Sequence, residues 1–124
     1  MTSERQTRIR RVSEAVREEL ASLLTGEVKD PGAAGAVVTR VEMANDLRSA
    51  RVHVRLLEAS DDEERRNVLV TALQRASGML RREVTHRLGL RFAPDLRFVY
   101  DEGADNSTRV EELLAEIEAE RSRH

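Results

Sequence analysis

The chain has 124 residues, with 21 Lys or Arg against 23 Asp or Glu, 40% hydrophobic residues and no cysteine. This length suits one domain that buries about two-thirds of its unfolded surface, enough for a core without metal or disulfide staples. Lack of cysteine excludes disulfides, thiolate metal sites and cysteine nucleophiles, while the absence of a bilayer-length apolar run or a signal-like start predicts a cytoplasmic protein without membrane contact.

Ile9, Val12, Val16, Leu20 and Leu23 recur every three or four residues and form the apolar stripe of a first helix. Gly26 and then Asp30-Pro31-Gly32 stop it, since glycine suits a helix end and proline cannot continue one. From Ala36 to Ala44, Val37, Thr39, Val41 and Met43 alternate with Val38, Arg40 and Glu42, the period of a strand with one covered face. Asn45-Asp46 is turn chemistry, after which Ala50, Val52, Val54 and Leu56 alternate with Arg51, His53 and Arg55. So short a connection makes an antiparallel hairpin, aliphatic on one face and presenting Arg51, His53 and Arg55 to solvent or a ligand on the other.

Ser60-Asp61-Asp62-Glu63 has the form of a capping box, in which the Ser60 hydroxyl accepts from the Glu63 amide and the Glu63 carboxylate reaches back. Leu69, Ala72, Leu73 and Ala76 then give a second buried helical stripe. At Ala76-Ser77-Gly78 two readings compete. In one the helix runs straight and tolerates a glycine; in the other Ser77 caps a new helix, Ala76 leaves room and Gly78 removes bulk at a bend. Leu80, Val84 and Leu88 are four apart, and each such step advances the stripe by about 40° on a straight helix, so a bend that re-aims it is favoured. Gly89 ends the second segment, and Leu90, Phe92, Leu96, Phe98 and Tyr100 mark a third strand with Pro94 near its start or at an edge.

Thr108-x-x-Glu111 is a second capping box, followed by the apolar stripe Val110, Leu113, Leu114 and Ile117 beneath an acidic exterior. This helix docks on the body or frays alone, and the last four residues are expected to be disordered. The division is a body at 1–104 and an acidic helix and tail at 105–124.

Charge is unevenly spread. Arg5, Arg8, Arg10 and Arg11 make the amino end basic, six arginines from Arg75 to Arg97 face only Glu83 and Asp95, and acid dominates after Asp101. This is the pattern of a polyanion-binding body with an acidic end, and equally of ordinary solvated helix faces. For an enzyme the residues offer little: His53, His86 and His124 each stand alone, the carboxylates sit at helix starts and on solvent faces, and neither a Walker sequence nor GxGxxG occurs. No catalytic residue, metal site or cofactor is assigned. Aromatics at 2% argue against base stacking, leaving phosphates, shape and helix ends as the means of binding.

The order helix, strand, strand, kinked helix pair, strand is that of a type II K-homology domain, an α+β fold, with a short C-terminal helix added. RIRRVSEAVREELASLL, DPG, VTRVEMANDLRSARVHVRLL and RASGMLRREVTHRLGLRFAPDLRFVYDEG, in that order and spacing, resemble the ribosome-binding factor A family over nearly the whole chain. K-homology domains generally hold nucleic acid on a GxxG loop between two helices. The resemblance implies that Ala76-Ser77-Gly78 replaces that loop with an interhelical kink, so that contact spreads over an arginine-rich face. Carried over to this chain, the candidate RNA-binding residues are Arg75, Arg81, Arg82 and Arg87 beside the kink, with Arg8, Arg10 and Arg11 on the first helix. Ala33-Ala34-Gly35-Ala36 departs from the family as a looser entry to the first strand.

The resemblance further implies a bacterial, non-enzymatic ribosome biogenesis factor of the cytoplasm with a part in cold adaptation. Such a factor binds the free or immature small (30S) subunit and its 16S rRNA, assists late maturation including processing of the rRNA 5′ end, acts as a monomer and leaves with the help of a GTPase. Two other classes stay open: a K-homology-like binder of other RNAs, and a protein-interaction module using the acidic helix and the sheet.

Overall fold

The structure, a computed structural model, describes residues 3–58 and 60–123, with the side chains of all of these but 104–109. Helix α1 (Glu4–Gly26) starts at Ser3, whose hydroxyl accepts from the Gln6 amide while the Gln6 side chain accepts from the Ser3 N–H. A 3-10 turn at Pro31–Ala33, opened by the Asp30 carboxylate on the Gly32 N–H, leads into β1 (Ala36–Met43) and β2 (Ser49–Leu56). Then follow α2 (Glu63–Arg75), α3 (Ser77–Leu88), β3 (Asp95–Tyr100) and α4 (Glu102–Arg123). This is the α+β order expected.

The sheet runs β1-β2-β3, with β1 antiparallel to β2 and β3 parallel to it. A parallel neighbour needs a long crossover, which the α2–α3 pair supplies. Val16, Leu20 and Leu23 of α1, Leu69, Ala72 and Leu73 of α2, and Leu80 and Val84 of α3 join the inner residues of all three strands in one core. Fully removing a leucine or valine side chain from water contributes about 1.5–3 kcal/mol, so the seven leucines and valines among these helical residues hold the layers together.

Strict alternation fails in β1. Val38 pairs with Val54 and Arg40 with His53, so Thr39 is the extra residue of a bulge. Val41 and Met43 are buried as the period of two predicts, but before the bulge Val38 takes the core position and Val37 is only half-buried. His53 is also a correction. It is 8% exposed, with Nε2 2.6 Å from Glu42 Oε1, because a carboxylate on the neighbouring strand gives its ring a partner under cover.

Three helix starts differ from the sequence reading. Asp62 caps α2, accepting from the Glu64 and Arg65 amides, while Ser60 Oγ takes the Asp62 N–H; a carboxylate is the better acceptor at the positive end of a helix. Ser77 is the first residue of α3 and caps nothing: α2 and α3 meet at Ala76, whose φ of −82° and ψ of −4° are helical, whereas side-chain capping needs an extended residue before the helix. Helix α4 has begun by Glu102, so Thr108 lies within it rather than before it, and the Thr108 side chain falls outside the described residues.

The helical run is interrupted at Ala76, where α2 ends and α3 begins, between the Ala76 N–H to Ala72 O bond at 3.2 Å and the Leu80 N–H to Ala76 O bond at 3.0 Å. Gly78, however, is not needed to relieve crowding there, since a Cβ on it would meet only Arg82 Nη1 at 3.8 Å. Gly89 caps α3 in the left-handed region, with φ 61°, as expected. Leu90 and Phe92 precede β3 instead of belonging to it, because Arg81 holds that approach by donating to Ala93 O and Pro94 O, both at 3.0 Å.

Candidate nucleic-acid interface

A polar cleft of about 550 Å³ opens where the kink meets the outer edge of the sheet. Gln74 closes α2, Ser77 and Arg81 open α3, and Ser49 to Arg51 and Asp95 to Arg97 supply the strand side. The backbone edge of β3 is already occupied here. Gln74 Nε2 donates to Leu96 O at 2.9 Å and Gln74 Oε1 accepts from the Phe98 N–H at 3.2 Å, so a side-chain amide does what another strand would do. A ligand in this cleft therefore meets side-chain charge and hydroxyls; these two edge groups are already satisfied.

The seven candidate arginines fall into different settings. Arg8, Arg10 and Arg11 are exposed near the amino end of α1 and, among the described residues, make no ion pair or hydrogen bond. Arg82 is exposed and equally unengaged among the described residues. Arg87 reaches back to α1, with Nη1 3.4 Å from Glu19 Oε2 and Nε 3.5 Å from Glu83 Oε2. Arg75 bonds Asp30 Oδ2 at 2.8 Å, and that guanidinium, followed by the Gly32 N–H, holds the Asp30 carboxyl below its usual pKa. Arg81 is spent on the two carbonyls before β3 and lies 3.2 Å from Asp95 Oδ1.

Helix geometry separates the two patches. At a rise of 1.5 Å per residue, Arg8 stands about 17 Å along α1 from Glu19, where Arg87 of α3 is docked. The arginines thus form a dispersed surface, with Arg82 and the α1 trio free to meet an anion and Arg75, Arg81 and Arg87 already paired. Aromatic stacking is pre-empted as well. Arg48 and Arg91 cover the Phe92 ring at 4.4 and 5.4 Å, and Arg66 covers Tyr100 at 4.6 Å, whose hydroxyl accepts from the Leu56 N–H.

Sequence reasoning did not foresee the role of Gln74 or the adjacency of Arg51 and Arg97. Gln74 directly follows Leu73 of the core stripe, and only the position of β3 shows what its amide does. Arg51 and Arg97 were visible as outward strand positions, but their adjacency depends on a parallel register that no local pattern encodes. Among the described residues no group of three or more His, Asp or Glu is placed to hold a metal ion, and no helix is long and apolar enough to cross a membrane.

A family model described as ribosome-binding factor A matches residues 8–114. Ribosome-binding factor A from Sorangium cellulosum is 50% identical over 110 residues, covering 89% of this chain and 88% of that protein. The crystal structure of ribosome-binding factor A from Thermus thermophilus superimposes with a TM-score of 0.63 at 23% identity, over 74% of this chain and 94% of the other. A homology model of the Thermus thermophilus factor, fitted into a cryo-EM map of a 30S complex, gives 0.56 at 23% identity, over 70% and 88%. With a kinked helix pair behind a three-stranded sheet and a family match that spans most of its length, the chain belongs to the ribosome-binding factor A family.

Proposed function

We propose that the protein binds the free or immature 30S ribosomal subunit through its 16S rRNA and assists late maturation, including processing of the rRNA 5′ end. The observation that carries this reading is the family match along residues 8–114. The relative fitted into a 30S complex and the exposed, unengaged arginines Arg8, Arg10, Arg11 and Arg82 support it. Phosphate contacts position a protein on RNA without reading sequence, which fits a surface whose rings are covered by arginines and whose β3 edge is bonded by Gln74 at Leu96 O and the Phe98 N–H. A binder without catalytic chemistry shifts an rRNA population only by preferring one arrangement to another. The factor acts as a cytoplasmic monomer, and release falls to a rearranged site or a competing partner such as a GTPase.

The test is a sucrose-gradient profile of cells with and without the protein. It is expected in the small-subunit fractions and not in translating ribosomes, and its loss should raise the amount of precursor rRNA with an unprocessed 5′ end. Sedimentation away from small subunits, with precursor levels unchanged, would contradict the reading.

A further inference from the structure

We propose that Arg51 and Arg97 together grip RNA phosphate on the sheet face turned away from the helices, giving the protein a second nucleic-acid contact besides its helix-side arginines. The inference rests on the rRNA-binding reading above and adds a surface to it. In the parallel ladder Arg51 is the register partner of Arg97. Strands lie about 4.8 Å apart and ladder partners point to the same face, so two guanidiniums emerge side by side. The alternation that sends Ala50, Val52, Leu96 and Phe98 into the core sends these two outward, and both are exposed.

Like charges set directly across a ladder repel and weaken the sheet unless an anion lies between them. The nearby carboxylates are committed mainly to other cations, although the Glu42 carboxylate also feels the charge of Arg51. Glu42, across from Arg51 on β1, has Oε1 2.6 Å from His53 Nε2 and 3.3 Å from Arg40 Nη2. Asp95, one position before Leu96, is 3.2 Å from Arg81 Nη2. Among the described residues neither Arg51 nor Arg97 has a hydrogen bond or ion pair. Each presents a planar fork that fits two phosphate oxygens, and Ser49, exposed two positions before Arg51 on β2, is a further donor on the same face.

Surface chemistry favours RNA over an acidic protein. Protein interfaces take most of their energy from buried apolar or aromatic anchors. Among the described residues the exposed large apolar side chains are Leu57, Val68, Phe92 and four residues of α4, none of them on the strand positions flanking the pair. Around it lie Ser49, Glu42, Arg40 and Asp95, a polar setting that phosphate contacts tolerate and protein anchors do not.

The test measures the affinity of the full chain for purified 30S subunits and for protein-free 16S rRNA across monovalent salt, in wild type and in the double variant Arg51→Gln, Arg97→Gln. Each lost phosphate contact removes about 0.7–0.9 from the slope of log affinity against log salt, so the double variant should be shallower by about 1–2 on both targets. Its melting midpoint should hold or rise, because the like-charge contact is gone. A second variant, Arg51→Lys with Arg97→Lys, should keep the slope. An unchanged slope in the glutamine variant overturns the inference while leaving the rRNA-binding reading intact. A loss confined to intact subunits overturns it in favour of a protein partner, and wild type that binds neither target overturns the underlying reading too.

Discussion

A Cβ built on Gly32 would lie 3.1 Å from Ala72 Cβ and Val68 Cγ1, so alanine there must push α2 away from the turn that precedes β1. At Gly78 the same addition meets only the far end of Arg82, and Gly78→Ala should raise unfolding free energy by about 0.4–1 kcal/mol through the unfolded chain alone. Urea unfolding checks the sign, and subunit binding of the same variant should be unchanged; a loss of affinity would mean that bare backbone at the kink touches RNA. Gln74→Leu removes both bonds to the β3 edge, and at about 0.5–1.5 kcal/mol net for each it should cost about 1–3 kcal/mol. The Glu42 carboxyl is held below its ordinary pKa of 4.5, first by the hydrogen bond from His53. A lowered carboxylate stabilises the fold above its unfolded pKa and loses that contribution as pH falls through the folded one. The stability advantage of wild type over Glu42→Gln should therefore be full above pH 4.5 and shrink below it, as read by denaturant midpoints across pH.

The elements differ in how legible they were. Stripes such as Val16, Leu20 and Leu23, or Leu69, Ala72 and Leu73, declare a buried helix face because 3.6-residue periodicity is local. The break between α2 and α3 at Ala76 was legible from the drift of Leu80 and Val84, but not its chemistry: Ser77 and Gly78 looked like a cap and a relief of bulk, and the helical backbone of Ala76 makes neither necessary. Thr39 could not be read as a bulge, since an extra residue is defined only against the partner strand. Register also hid the Arg51–Arg97 pair, and tertiary bonding hid the commitment of Arg81 to Ala93 O and Pro94 O. In α4, Val110, Leu113, Leu114 and Ile117 are 42–59% exposed, so the stripe contributes little to the fold. Deleting residues 110–123 should change unfolding free energy by less than about 0.5 kcal/mol, measured by denaturant titration.

At the scale of the molecule, a net charge of −2 conceals a body whose arginines split into paired and unpaired sets. Arg75, Arg81 and Arg87 bind Asp30, the β3 approach and α1, and serve the fold; Arg8, Arg10, Arg11 and Arg82 are exposed and unengaged among the described residues. The central claim is that the unengaged set meets rRNA phosphate. Its most direct test is the affinity of purified 30S subunits for a variant carrying Arg8→Glu, Arg11→Glu and Arg82→Glu, compared with wild type across monovalent salt. Sparing Arg81 keeps the β3 approach intact, so the melting midpoint should stay near that of wild type. Binding should weaken and the salt slope become shallower by about 2–3, in proportion to the phosphates released; an unchanged affinity and slope in a folded variant would mean that these arginines do not meet rRNA phosphate.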